Sequence, residues 1–504
     1  MLSYQKGVVK TSVRHLVEFL FRGGDITTGS SVSVSPEAML EGSRLHRKIQ
    51  RGQKATYQSE VPLKMEWQEE GYDLVLEGRA DGIDKTEVNK DRLSDVDGMN
   101  QTESDEEKLQ HVIGMNQIES NEEKLTYVDE IKCVYRDVEE IEEADILHLA
   151  QAKCYAYMYG VKQDLEKIGV QITYCHLETE QIKRIFYCYT MGELSLWFAE
   201  VLDAYRMWAA YYVEAREKRN ASIQALQFPF SFRPGQKKMT AIAYQAMENK
   251  KHIFLQAPTG VGKTISTLYP ALKELGAEKA ENIFYLTAKT ITRTVAENTI
   301  VLMREKGLKL KSVVLTARDK ICFMEESQCN PDFCPYARGH FDRVNEALYD
   351  MLTHTDNYSR GEIESYARKH QVCPFEFCLD MSLFADVVIG DYNYLFDPHV
   401  YLKRFFAEGV QENYIFLIDE AHNLVERGRE MYSAALIKED FLAMKRLCKE
   451  YSTRICHQLD RCNKELLALK RNCAGYRYED ESSIAAFVRA LNSLSSAIDD
   501  YLDD

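Results

Sequence analysis

The sequence predicts an α/β protein with a parallel sheet in its second half and a separate α/β domain ahead of it. Three observations carry that prediction. Four short apolar runs, HIFLQA (252–257), NIFYLTA (282–288), DVVIGDY (386–392) and YIFLIDE (414–420), alternate with helical stretches, the grammar of parallel strands joined by crossover helices. A loop with two glycines follows the first run, and Lys263-Thr264 open the next helix. Upstream, LTYVDEIKCVY (125–135) reads as a buried strand, and IEEADILHLAQAKCYAYMYG (141–160) as a helix with acids in its first turn.

Composition narrows the class. A chain of 504 residues corresponds to roughly three domains at about 150 residues each. The 45% apolar content is ample for sizeable cores and too high for a disordered chain. A net charge of −16 argues against a whole-surface nucleic-acid binder and leaves a local basic groove open. No stretch approaches the roughly 20 apolar residues that span a bilayer. The start, MLSYQKGVVKTSV, lacks the apolar core and cleavage site of a signal peptide. Thirteen cysteines are too few for a disulfide scaffold in a chain this long and are expected to be reduced. A cytoplasmic multidomain protein with no membrane partner is the expectation.

Along the chain, Val9, Val13, Leu16, Val17 and Leu20 follow helical spacing, and Ser35-Pro36 read as an N-cap and first residue of a second helix. Residues 91–127 carry ten acidic and three basic side chains, and GMNQTESDEEKL (98–109) returns as GMNQIESNEEKL (114–125). Two copies of a polar unit are too few for a solenoid, so this reads as a duplicated surface loop. Beyond residue 436 the chain is helical again. Met444, Leu447, Tyr451, Ile455 and Leu459 fall at three- and four-residue steps, and Ile484, Phe487, Val488, Leu491 and Leu494 form a further amphipathic stretch.

HIFLQAPTGVGKT (252–264) is the sharpest chemical signal. Gly260 and Gly262 allow backbone N–H groups to approach phosphates at a helix N-terminus. Lys263 is expected to reach the β- and γ-phosphates of ATP, and Thr264 to hold Mg²⁺. The strict phosphate-loop pattern has glycine where Ala257 stands, so this is a variant. In YIFLIDEAHNL (414–424), Asp419 is expected to bind Mg²⁺ through water and Glu420 to orient the attacking water. Together with FRPGQ (232–236) and YLTAKTITR (285–293), these motifs resemble the first, RecA-like motor lobe of superfamily-two helicases. That resemblance implies Gln236 near the adenine and Thr287–Arg293 near a nucleic-acid backbone.

Between the two nucleotide motifs lie Cys322, Cys329, Cys334 and Cys373. Their irregular spacing alone does not choose between zinc, an iron–sulfur cluster and ordinary buried thiols. The position of the insertion, closing with CPFEF and followed by FADVVIGDYNYLFDP (384–398), closely resembles the XPD/DinG-type iron–sulfur helicases, which implies a 4Fe-4S cluster on these four cysteines. Cys378 is a spare that could alternate with Cys373. Just ahead, residues 301–320 hold six basic and two acidic side chains, ordinarily a solvated face. Next to a strand-separating element they read as a path for single-stranded DNA.

The first 205 residues carry a quieter constellation. His46 lies in GSRLHRKI, Asp81 in EGRADGI, Glu130 and Lys132 in YVDEIKC, and Gln151 and Tyr155 in QAKCYAY. Phosphodiester hydrolysis needs a divalent cation on carboxylate and imidazole groups, with a lysine beside the attacking water. Glu130 and Lys132 alternate on a strand and so share a face; Gln151 and Tyr155 share a helix face. Each piece is weak alone. Their order resembles the RecB-like PD-(D/E)xK nucleases, implying Mg²⁺ or Mn²⁺ on His46, Asp81 and Glu130, with Lys132 catalytic. The cysteines here (133, 154, 175 and 188) all follow His46, and no second cluster is expected.

The expected domains are a nuclease-like domain (1–205), the first part of a motor lobe (206–320), an iron–sulfur insertion (321–380), the rest of the lobe (381–435) and the start of an arch-like helical insertion (436–504). The expected function is ATP-driven translocation on single-stranded DNA with metal-dependent strand cleavage, in DNA repair or processing. Two rivals are a DNA-binding module with a decayed nuclease, and a nucleotide-regulated nuclease without motor activity. The chain ends inside the helical stretch, so the further expectation is nucleotide binding with little hydrolysis, for want of a second lobe.

Overall fold

The structure, a computed structural model, describes residues 3–5, 7–27, 36–85, 125–258, 260–288, 290–406, 412–473, 475 and 484–503. Ser35 and the duplicated acidic segment up to residue 124 fall outside these. The chain divides into two compact units, Met1–Leu395 with Val400–Leu424, and Phe396–His399 with Val425–Asp504.

The first unit opens with β1 (Ser3–Gln5) and β2 (Val8–Ser12), then α1 (Val13–Phe21). The helical spacing expected from Val9 onward is cut short. β-Branched Val8, Val9 and Thr11 favour the strand, and Ser12 caps the helix by accepting from His15 N at 3.1 Å. After α2 (Pro36–Arg51), β3 (Tyr57–Glu69) and β4 (Tyr72–Asp84) form a long antiparallel ribbon. β5 (Tyr127–Val134) joins β4 and runs parallel to β6 (Lys167–His176), which pairs with β7 (Ile182–Thr190). The sheet order is β1-β2-β4-β5-β6-β7, with β3 also on β4. Across it lies α3 (Ile146–Gln163), whose buried Ala152 and Ala156 permit close approach to the strands. The acids expected in its first turn precede it, and Asp145 instead caps Leu147 N at 2.9 Å.

α4 (Met191–Ala225) starts from a capping box between Thr190 and Glu193. Its first half buries Phe198, Val201, Leu202 and Tyr205 in the N-terminal core. Its end delivers Ile223 and Leu226 to a second core, that of the parallel sheet. Two arginines follow the same path. Arg216 Nη1 lies 2.7 Å from Glu281, and Arg219 Nη1 2.6 Å from Asp386, all four side chains largely buried.

The second sheet contains β8 (Asn282–Leu286), β9 (Ser312–Val314), β10 (Asn357–Tyr358), β11 (Val387–Gly390) and β12 (Tyr414–Ile418), all parallel, in the order β10-β9-β11-β8-β12. This is the RecA-like α/β arrangement expected of a motor lobe, with α5 (Gln236–Glu248), α6 (Lys263–Gly276) and α7 (Thr290–Glu305) packed along the chain's course. One expected strand is missing. Residues 251–258 are irregular, and Phe254 is 93% exposed. A run of strand-forming residues becomes a strand only where a neighbour supplies a hydrogen-bond ladder, and the sheet stops at β12.

The cysteine insertion includes α8 (His340–His354), α9 (Arg360–Lys369) and α10 (Pro374–Ser382). The segment just after α1 clasps it. Gly24 N donates to Asp342 at 2.7 Å, Phe341 N to the Gly24 carbonyl at 3.0 Å and Ile26 N to the Ala337 carbonyl at 3.0 Å. Arg22 pairs with the buried Asp380 at 2.7 Å and lies over the Phe341 ring.

In the second unit, α11 (Lys438–Cys448), α12 (Thr453–Asn472) and α13 (Ala485–Asp503) enclose Phe441, Ile455, Leu459, Phe487 and Leu494. The single helical register expected from Met444 to Leu459 breaks between α11 and α12. Leu447 and Tyr451 are exposed as a result.

The α4 arginines bear on stability. Arg219→Ala leaves Asp386 without its cation in a largely buried position, and is expected to destabilise the first unit by about 3–5 kcal/mol. The midpoint of urea unfolding followed by tryptophan fluorescence measures this; an unchanged midpoint would remove the pair from the forces joining the two cores.

Candidate functional site

Motor residues converge at one end of the parallel sheet. Gly260 and Gly262 adopt φ of +80° and +84°, a region closed to most side chains. A Cβ at Gly262 would meet Gln236 Nε2 at 2.6 Å. Gln236 is buried and its Oε1 accepts from Arg233 N at 3.0 Å, while the Arg233 guanidinium donates to the Gly260 carbonyl. Lys263 Nζ lies 3.2 Å from Glu420 Oε1. Asp419 Oδ2 accepts from Tyr285 OH at 2.9 Å, and Thr264 Oγ1 stands 3.4 Å from the same hydroxyl. Tyr392 holds the neighbouring backbone, donating to the Asp419 and Glu420 carbonyls. Gln236, Gly260, Gly262, Lys263, Thr264, Asp419 and Glu420 are thus brought together. The bridging tyrosines, Tyr285 and Tyr392, were missed in the sequence. Both sit inside the recognised motifs, but an aromatic ring at a strand end reads as packing rather than as a hydroxyl contact. Arg293, beyond the loop, pairs with Asp391 at 3.2 Å.

Cys322, Cys329, Cys334 and Cys373 line one small pocket with Arg318, Phe323, Phe375 and Ile26 of the N-terminal clasp. Burial pushes the Cys373 thiol up to about 12 and raises Cys329. Cys378 lies outside this pocket; it is 1% exposed, and its thiol points to the Val314 carbonyl at 3.8 Å. The four cysteines thus share one pocket, and Cys378 is not among its lining residues.

In the N-terminal domain, His46 from α2, Asp81 from β4, Glu130 and Lys132 from β5 and Gln151 from α3 meet. His46 Nε2 is 3.2 Å from Asp81 Oδ2, which also accepts from Ile131 N at 2.8 Å. The Asp81 carboxylate raises the His46 pKa above its ordinary value, chiefly through this hydrogen bond. Lys132 Nζ lies 2.8 Å from Glu130 Oε1 and 3.3 Å from Gln151 Oε1. Glu130 is 1% exposed, and its Oε2 has no hydrogen-bond partner among the described residues. Burial, and then the charge of Asp81, push its pKa up to about 8. Tyr155 packs beneath β4, where a Cβ on Gly78 would meet its ring at 2.7 Å. The ligand atoms of His46 and Asp81 lie close enough to share a cation, whereas Glu130, expected as the third ligand, is not grouped with them.

The geometry agrees with what comparison shows. Residues 233–332 match the DEAD/DEAH box helicase family, and residues 285–441 match the DEAD_2 family. Together these matches span residues 233–441, which are similar to helicase regions. Curated relatives include a probable ATP-dependent helicase of Methanocaldococcus jannaschii, 27% identical over 200 residues, which cover 39% of this chain and 29% of that protein. The XPD helicase subunit of general transcription and DNA repair factor IIH from Dictyostelium discoideum is 24% identical over 229 residues, with the same shares of 39% and 29%. A solved XPD helicase structure aligns over 54% of this chain and 46% of its own, at 20% identity and a TM-score of 0.36. The chain spans under a third of the length of these curated relatives. Among the described residues, no helix is long and apolar enough to cross a membrane.

Glu130 makes folding of the cation-free protein pH-dependent. Its folded pKa, about 8, exceeds the unfolded value near 4.3, so the native state holds the extra proton. The contribution of Glu130 to stability is therefore fullest below about pH 4.3 and is lost as pH rises toward 8. In EDTA, Glu130→Gln should flatten this part of the pH profile of the urea midpoint. Parallel profiles for variant and wild type would place the dependence on other groups.

Proposed function

We propose that this chain is an ATP-dependent DNA helicase of the XPD/DinG kind, translocating on single-stranded DNA, joined to a metal-dependent DNA nuclease and acting in DNA repair or processing in the cytoplasm. The observation that carries the helicase reading is the meeting of Lys263, Thr264, Asp419 and Glu420 at the carboxyl end of a parallel sheet, where α/β folds bind ligands. Mg-ATP fits this site: Thr264 and Asp419 would hold Mg²⁺ and Lys263 the terminal phosphates. Glu420 is paired with Lys263 here, so an arriving phosphate draws the lysine away and frees the carboxylate to orient water. Gln236, wedged against Gly262, would read the adenine. The resemblance extends to residues 206–320 and 381–435 as lobe, 321–380 as iron–sulfur insertion and 436–504 as arch-like helices.

The nuclease reading for residues 1–205 rests on the unpartnered Glu130 oxygen beside Asp81 and His46. A Mg²⁺ or Mn²⁺ ion on these three would supply Lewis-acid polarisation of a phosphodiester. Lys132, held between Glu130 and Gln151, presents its ammonium to an attacking water or the scissile phosphate. That pairing favours an active nuclease over a decayed DNA-binding module.

Two experiments test the halves separately. With Mn²⁺ and no ATP, the protein should cut single-stranded DNA; Asp81→Ala should abolish the cut and Lys263→Ala should leave it. Equal cutting by wild type and Asp81→Ala would sink the nuclease.

Anaerobically purified protein should be brown with about four irons per chain, the content of one 4Fe-4S centre. Cys322→Ser and Cys373→Ser should lose the colour, and Cys378→Ser should keep it. One zinc and no iron would replace the cluster with a zinc site.

A further inference from the structure

The N-terminal pocket contains one carboxylate that the nuclease reading leaves unused. Glu60 lies on β3, between Ser59, which pairs with Gly82, and Val61, which pairs with Ala80. Glu60 has a positive φ of 56° and is not a ladder partner of Asp81, yet a ligand atom of each lies within 4.8 Å of the other, and like charges this close disfavour one another unless a cation joins them. Arg79 Nη1 makes a long ion pair with Glu60 Oε2 at 3.8 Å, with both side chains exposed, and such a pair is weak. Gln50 from α2 holds the arrangement instead, its Nε2 donating to Glu60 Oε1 at 3.0 Å and to the Asp81 carbonyl at 2.9 Å.

His46, Glu60 and Asp81 each offer one ligand atom, and these atoms lie within 4.8 Å of one another. That span suits a single ion bonded at roughly 2.0–2.6 Å to each. A second observation comes from the other side of Asp81. Glu130 is 1% exposed, its Oε1 is taken by Lys132, and its Oε2 has no hydrogen-bond partner among the described residues. The charge bearing most on it is that of Asp81, and its own charge is felt at His46. A buried carboxylate oxygen without a hydrogen-bond partner needs a positive one nearby.

We propose that Glu60 is a ligand of a divalent cation, shared with His46 and Asp81, so that the site draws on both strands of the β3–β4 ribbon and on α2. This deepens the nuclease reading and rests on it for its setting. One imidazole with carboxylates favours an ion that accepts nitrogen as well as oxygen, which selects Mn²⁺ over Ca²⁺.

The test is a Mn²⁺ titration by electron paramagnetic resonance on the full chain, EDTA-treated and free of nucleotide. Wild type should bind one Mn²⁺ that Asp81→Asn loses. Glu60→Gln keeps the side chain's length but removes its charge, and should weaken that Mn²⁺ by roughly tenfold or more, since even an outer-sphere partner is worth 10–100-fold. Glu66→Gln, on the same strand but remote from the cluster, should titrate like wild type. The proposal is overturned if Glu60→Gln titrates like wild type, or if wild type binds no Mn²⁺. Cleavage is read separately. DNA cutting that needs Asp81 but not Glu60 for metal would discard this ligand and keep the nuclease; a Glu60-dependent Mn²⁺ without cutting would keep the ligand and discard the nuclease.

Discussion

One helix constrains the first unit. α4 runs for 35 residues from the N-terminal sheet to the parallel sheet, placing aromatic side chains in one core and Ile223 in the other. A rigid rod shared by two cores leaves little freedom between them, because shifting either domain would uncover apolar surface at about 25 cal/mol per Å². Arg216 and Arg219 extend this constraint into electrostatics. Each is buried with a carboxylate of the motor lobe, and a buried charge parted from its partner is far costlier than the pair is stabilising. The nucleotide site and the N-terminal pocket are therefore held on one scaffold.

Both sites keep ionisable groups close to one another. In the motor lobe, Asp419 is steadied by a tyrosine hydroxyl and Glu420 by Lys263. In the N-terminal pocket, a lysine takes one Glu130 oxygen and a backbone amide takes Asp81. Each arrangement gives its carboxylates a protein partner, and Glu130 Oε2 is left without one among the described residues.

Sequence made the α/β class and the grouping of the polar residues legible, and individual elements less so. Lys263, Thr264, Asp419 and Glu420 were readable because phosphate loops demand particular residue types at fixed spacing. His46, Asp81, Glu130 and Lys132 were readable only as an ordered set on a strand and two flanking elements. Local pattern failed where pairing partners decide the outcome. HIFLQA has every property of a strand except a neighbour to bond with. Val9 sits in phase with a helix, yet its β-branched surroundings and the Ser12 cap hold it in β2. Leu447 and Tyr451 continue a helical period across a break that the register alone does not reveal. Glu60 was hidden for a different reason: its closeness to His46 and Asp81 exists only once β3, β4 and α2 are brought together.

The clasp between residues 22–26 and the cysteine insertion has a consequence for how the chain is made. Gly24 and its acceptor Asp342 are 318 residues apart. At about 5–20 residues per second, the ribosome takes roughly a quarter of a minute to a minute to supply the second half of that contact. During that interval the early domain is already emerging with its docking segment unanswered, and Arg22 stays in water until Asp380 arrives. Synthesis itself thus sets an order. The N-terminal sheet comes first, the cysteine loops close onto it later, and the wall that Ile26 gives the thiol pocket is waiting when the last of its four cysteines, Cys373, leaves the exit tunnel.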